Sequence, residues 1–278
     1  EAWDREVVDR LRPDVKLMCT SETYLETNAQ GIKGMVGDYT LSKVGPGPKA
    51  QRLWAHAAAR GLERLAKVQL NNTWECSAVP YLPVPFLARA HLRNLQAQQV
   101  SGLMVSWTLG GYPGGNLPLA DREPETLAVA RFGAAAAEGI LAAWRRFGEA
   151  FAEFPLHSCH CLYRGPQNYG PLNPLFATPS GRMATMVGYP YDALDAWCGP
   201  LFPRDLFEDQ FRRLSEGWSE GLDLLRQVSA RIPAEHRAQY EDLWNVAEAA
   251  YCHFRSTYLQ IRFIRLRDDV TPQSWRAA

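Results

Sequence analysis

AKVQLNNTWE (66–75) and VSGLMVSWTLGGYPGGN (100–116) are two short apolar runs, and each ends in a burst of polar and aromatic residues. Between them, PFLARAHLRNLQAQQ (85–99) places Phe86, Leu87, Ala90, Leu92 and Leu95 near helical spacing, so the unit reads strand, helix, strand. A βαβ crossover implies parallel strands, and in parallel α/β architectures ligands collect beyond the carboxyl ends of the strands. Here those ends carry Asn71, Asn72, Trp74, Glu75, Trp107, Tyr112 and Asn116. Flat aromatic faces beside amides and a carboxylate suit a sugar.

Working outward, strands are expected at 15–21, 33–40, 66–71 and 101–108, with helices after the second, third and fourth. The helix after the second strand runs from Ala50 to Leu65 behind a GPGP turn, with Gly61 as a weak point near its end. Pro124 sits in an acidic first turn, and the Ala-rich stretch from there to about Phe151 reads as one long helix. From Phe154 to Pro203 the chain fills with Pro, Gly, Asn and aromatics, the composition of an ordered functional loop. Two helices, 203–230 and 234–268, close the chain as a hairpin broken at Pro233. Three regions follow: four parallel strands with helices over 1–152, a Pro/Gly/aromatic loop region over 153–202 and a helical domain over 203–278.

The chain has 278 residues, with thirty acidic and thirty basic side chains, so nothing argues for a nucleic-acid partner or an anionic membrane surface. A small neutral ligand fits that balance. No apolar run approaches the roughly 20 residues of a membrane span. The opening EAWDREVVDRL is an amphipathic charged segment unlike a signal sequence, which favours the cytoplasm. Six cysteines are too scattered for a disulfide framework. His157, Cys159, His160 and Cys161 crowd together, but no second ligand pair stands elsewhere, so no metal and no cofactor are expected.

Alternation along the third strand puts Lys67, Gln69 and Asn71 on one face and Val68 and Leu70 on the other, as in a strand whose inner face nears a ligand. Glu75 follows that strand beside Trp74, Glu22 follows the first strand, and Asp38 lies in the second. Glycoside hydrolysis needs two carboxyl groups, or one with a substrate amide doing the second job, so these three are the candidate catalytic residues. Tyr39, Trp74, Trp107 and Tyr112 are candidate faces for a sugar ring, and Gln69, Asn71, Asn72 and Asn116 candidate partners for its hydroxyls. GGYPGGN offers a weaker, phosphate-binding reading, since it lacks the Lys-Ser/Thr of a P-loop.

SETYLETNAQGIKGMVGDYTLSKVGPGP (21–48), AKVQLNNTWECSAVPYLPV (66–84), SGLMVSWTLGGYPGGN (101–116) and NYGPLNPLFATPSGRMATMVGYPYDALDAW (168–197) together resemble a group of bacterial proteins with a glycoside-hydrolase barrel, distantly like β-hexosaminidases. The resemblance spans about Val15 to Asp268. It implies the C-terminal half of a (β/α)8 TIM barrel followed by a mostly α-helical C-terminal domain, acting on hexose or N-acetylhexosamine glycans. The Asp-Glu catalytic pair of such barrels would lie upstream of residue 1, and no Asp-Glu dipeptide exists in this chain. The expected partners are therefore a carbohydrate and the missing N-terminal half of the barrel, with self-association of the exposed sheet edges as a consequence. A non-catalytic carbohydrate-binding module and a sugar-phosphate lyase or isomerase are the alternative functions.

Overall fold

The computed structural model describes residues 2–38, 40–105, 112–158, 162, 164–184 and 188–269. It is a mixed α/β structure in which a small sheet is followed by a large helical region. After α1 (Ala2–Arg10), β1 (Leu17–Thr20) leads into a hairpin of β2 (Glu26–Ala29) and β3 (Ile32–Met35). Next come α2 (Pro48–Ala59), β4 (Arg64–Val68), α3 (Pro85–Ala97) and β5 (Gly102–Val105). β1, β4 and β5 form a parallel sheet in that spatial order, with Cys19, Ala66 and Leu103 in register.

The strand–helix–strand unit at 66–105 therefore forms, and its helix starts where proline is best tolerated, with Pro85 in the first turn. Two neighbouring expectations are corrected. The stretch 33–40 is not a further parallel strand: β3 pairs antiparallel with β2 across a two-residue turn, Gln30 and Gly31, at φ +48° and +89°. Left-handed conformations at both turn positions are what a tight hairpin requires. The helix expected to reach Leu65 stops at Ala59. Gly61, at φ +70°, turns the chain so that the Leu62 amide bonds back to the Ala57 carbonyl, and Leu65 becomes a strand residue.

Both crossover helices lie on one face of the parallel sheet, where Ala50 and Trp54 of α2 and Leu95 of α3 bury Ala66 and Val68. The opposite face carries Met18, Leu65, Lys67 and Met104, and Met18 and Met104 remain 46% and 43% exposed. Parallel sheets ordinarily have both faces covered, so among the described residues this partly exposed face is a departure from the rule, as are Leu103 and Val105, 40% and 39% exposed on the helix side of β5.

Beyond the sheet, the long helix expected from Pro124 is two: Gly133, at φ +82°, separates α4 (Pro124–Phe132) from α5 (Ala134–Ala152). Short helices α6 (Pro166–Tyr169) and α7 (Leu194–Cys198) interrupt the Pro/Gly-rich loop before α8 (Arg204–Val228) and α9 (Arg237–Asp269). α5 packs lengthwise on α8, and α8 on α9, so the boundary expected at 152–153 runs through one packed unit. No described helix is long and apolar enough to cross a membrane.

The α5–α8–α9 core is aromatic. Trp218 lies 4.6 Å from Phe147 and 5.1 Å from Phe254, ring centre to ring centre, and its indole N–H donates to the Ala247 carbonyl at 2.8 Å. Gly221 on α8 lets Phe147 come against bare backbone, because a methyl there would collide with the ring. At Gly148 on α5 a methyl would meet only Leu87, at 3.6 Å, an ordinary contact. Two substitutions of identical chemistry should therefore have opposite signs in thermal unfolding. Gly221→Ala is expected to destabilise by about 1–3 kcal/mol through overpacking. Gly148→Ala should stabilise by up to about 1 kcal/mol through helix propensity. Equal effects would contradict the packing described.

Candidate functional site

The carboxyl ends of β1 and β4 lie side by side. The Ser21 amide bonds to the Lys67 carbonyl, which extends the β1–β4 ladder one step. Continued once more, the register Thr20–Lys67 sets Glu22 opposite Gln69. Both are buried, Glu22 completely.

Two glutamates at this end have opposite surroundings. Glu75 receives five hydrogen bonds on its carboxylate. Thr40 Oγ1 (2.6 Å) and the Ser42 hydroxyl donate to Oε1, while the Leu41 and Ser42 amides (2.8 and 3.2 Å) and Thr73 Oγ1 (2.8 Å) donate to Oε2. A carboxylate so surrounded is a structural clip that fastens residues 40–42 to the loop beyond β4. The expectation that Glu75 serves as a general acid against Trp74 is corrected accordingly: five donors from the chain itself fill its lone pairs.

Glu22 is the reverse case. Among the described residues neither carboxyl oxygen meets hydrogen-bond geometry with a partner, and His91 Nδ1 on α3 stands 3.5 Å from Oε1. Burial pushes the Glu22 carboxyl well above the usual range; the Ser21 hydroxyl and the residue's own amide oppose this, while the charges of Glu75 and Asp38 add to it. Burial also lowers His91, to about 4. Both shifts run toward the uncharged forms, a carboxylic acid beside an imidazole.

Ser21 Oγ lies 3.1 Å from His91 Nε2, which completes a serine–histidine–carboxyl sequence. It is not a nucleophilic triad. A triad needs an ionised acid to steady the imidazolium and a hydroxyl that substrate can reach, whereas burial pushes Glu22 toward its neutral form and Ser21 is fully buried.

Local backbone builds the enclosure. Tyr24, two residues beyond Glu22, adopts φ +67°, a rare conformation for a bulky side chain, and closes a turn in which the Leu25 amide bonds to the Glu22 carbonyl. Gly45 fits between His91 and Glu22, where a Cβ would stand 2.8 Å from Nε2 and 3.1 Å from Cγ. The Asn94 side chain holds the Gly45 carbonyl at 2.7 Å. The GPGP turn is thus a lid on Glu22 as well as an entry to α2.

The remaining expected residues divide. Gln69 is buried one residue beyond β4, and its Oε1 has no partner among the described residues. Asp38 is half-buried and close enough for its charge to bear on Glu22; Asn72 is buried and Trp74 half-buried against the main core. Asn71 and Asn116 are scaffolding. The Asn71 amide donates to the Tyr112 and Gly114 carbonyls and accepts from the Asn116 amide at 2.7 Å, while Asn116 donates to the Leu70 and Leu82 carbonyls. Their hydrogen-bonding capacity goes to the chain, so the expectation that they bind substrate hydroxyls is corrected. The Asn116 and Leu117 amides are likewise taken, which removes them from any phosphate cradle. Tyr112 turns toward Tyr81 and the C-terminal helix. Tyr39, Trp107, Cys159, His160 and Cys161 lie outside the described residues.

Sequence reasoning missed His91 and Ser21. The signal for His91 was present, since Ala88, His91, Leu92 and Leu95 form the buried stripe of α3, and an imidazole in an apolar stripe asks for a polar neighbour.

The pH dependence of stability should separate the two groups. A carboxyl raised in the folded state contributes fully below the unfolded value, about 4.5, and that contribution is lost as pH rises. A depressed histidine works the other way: stability falls as pH drops from 6.5 through about 4. Glu22→Gln should therefore raise the melting temperature at pH 8 and leave it nearly unchanged at pH 4, each relieved kcal/mol appearing as about 2–4 °C. His91→Gln should flatten the acid limb alone. A Glu22→Gln protein that melts lower than wild type at pH 8 would contradict the assignment.

Comparison of the chain with protein-family models, with curated proteins and with solved structures gave no match, so the chemistry of the site is argued from its geometry.

Proposed function

We propose that the chain is the C-terminal arc of a (β/α)8 barrel and carries the proton-donating side of a glycoside hydrolase acting on hexose or N-acetylhexosamine glycans. The observation that carries this reading is Glu22, a buried carboxyl without a hydrogen-bond partner, raised by its surroundings, at the carboxyl end of a parallel strand. A glycosidase acid must hold its proton at working pH until the leaving oxygen takes it, and burial supplies that condition. Asp38, whose charge reaches Glu22, is the second carboxylate, base or nucleophile. Glu75 keeps the loop between them in place. Trp74, half-buried beside Glu75, would be the apolar wall for the sugar.

The barrel reading is supported by strands in sequential order with both crossover helices on one face, the winding of a barrel arc. In a doubly wound sheet helices cover both faces. The bare face with Met18 and Met104 would then be barrel interior, to be filled by strands this chain does not contribute.

One observation favours a second reading. Glu22 is fully covered, so a carbohydrate-binding module in which it never meets the sugar would fit as well. Hydrolysis of aryl hexosides and N-acetylhexosaminides distinguishes them, assayed on the 278-residue chain alone and within a longer polypeptide that supplies the other strands. Turnover that falls by about 100-fold or more in Glu22→Gln is expected for the acid. Sugar binding without turnover, indifferent to Glu22→Gln, would replace the hydrolase reading with the binding module.

A further inference from the structure

A second concave site lies away from the buried carboxyl, where the loops beyond β4 and β5 meet α4, α5 and the start of α9. It is a cavity of about 290 Å³, lined among others by Tyr81, Tyr112, Arg131, Phe132, Trp144 and Asp242. That volume is at the small end of the roughly 300–1,000 Å³ range of ligand pockets, room for one ring rather than a chain. We propose that this cavity binds a single neutral sugar ring.

The polar groups are set for such a ligand. Tyr81 and Tyr112 stack, centroids 5.3 Å apart and planes 22° from parallel, and both phenols donate to Asp242 Oδ2, at 3.2 and 2.8 Å. Burial raises both phenols, Tyr112 to about 12, so they stay protonated donors and leave Asp242 Oδ1 as an acceptor. Arg131 spends Nη1 on the Gly115 carbonyl at 2.9 Å and keeps Nε and Nη2 as donors. Trp144 and Phe132, both almost fully buried, contribute apolar lining.

Charge decides against the nearest rival. Several aromatics around a carboxylate also describe a cage for a quaternary ammonium ion. The Arg131 guanidinium in the same wall balances Asp242 and repels a cation. A ring bearing hydroxyls offers donors to Asp242, acceptors to Arg131 and an apolar face to the aromatic wall.

The loop geometry keeps the wall in place. Gly115 sits at φ +60° with its Cα against Tyr81, where a Cβ would lie 2.7 Å from both Tyr81 Cγ and Asn71 Oδ1. Asn71 therefore ties the cavity to the end of β4 through residues 112–116.

The inference stands apart from acid chemistry at Glu22 and is tested apart from it. Titration of the full chain with D-glucose, D-galactose and N-acetyl-D-glucosamine, read by calorimetry and saturation-transfer NMR, should give saturable binding of at least one of them. Choline chloride should give none. Asp242→Asn, at an exposed position, should weaken that binding about tenfold, as loss of a charged acceptor does. Tyr112→Phe should weaken it severalfold. No saturable binding of any of the three sugars, saturable binding of choline, or unaltered affinity in Asp242→Asn would each overturn the proposal.

Discussion

The carboxylate of Glu75 is the interaction on which the arrangement of the site depends. Five donors converge on it, and four of them come from residues 40–42, some thirty-five positions earlier in the chain. That convergence fixes the path of the segment between the β2–β3 hairpin and α2, and with it the placement of Asp38 and of the Gly45–Gly47 turn over Glu22. A buried ion of this kind is costly unless fully hydrogen-bonded, and here it is. Glu22, on the neighbouring strand end, receives none of that support. The same side chain is thus placed twice within one site, once as a satisfied anion and once as an acid without a partner.

This asymmetry organises the chemistry. The negative charge of Glu75 adds to the burial that raises Glu22, so the residue that steadies the loops also helps to keep its neighbour protonated. His91 cannot offset this by taking up the proton, because the same burial lowers it. Burial thus moves a neighbouring acid and base in opposite directions, each toward its uncharged form.

The parts legible in the sequence were those set by local periodicity. The β4–α3–β5 unit follows from alternation and helical spacing between Ala66 and Val105, and the parallel pairing follows from the crossover. The hairpin was not legible as such, since alternation over 33–40 predicts a strand without naming its partner, and the decisive positive-φ turn falls on Gln30, an unremarkable residue for that role. Glu22 and Glu75 look alike in sequence, each an acid just past an apolar run. What separates them is the set of donors that tertiary structure delivers from residues 40–42. The cavity at Tyr112 was half legible: its aromatic was identified, but Asp242, the group that orients it, lies 130 positions away.

The central claim is that Glu22 carries its proton at neutral pH, and isotope-edited infrared spectroscopy reads that directly. The spectrum of wild type minus Glu22→Gln, with glutamate side chains carbon-13 labelled, should contain the carbonyl stretch of one protonated carboxylic acid at pH 7, persisting to pH 8 and shifted by the label. A difference spectrum with only carboxylate bands at pH 7 would contradict the account, because Glu22 would then be an ordinary anion and the site would have no acid to give.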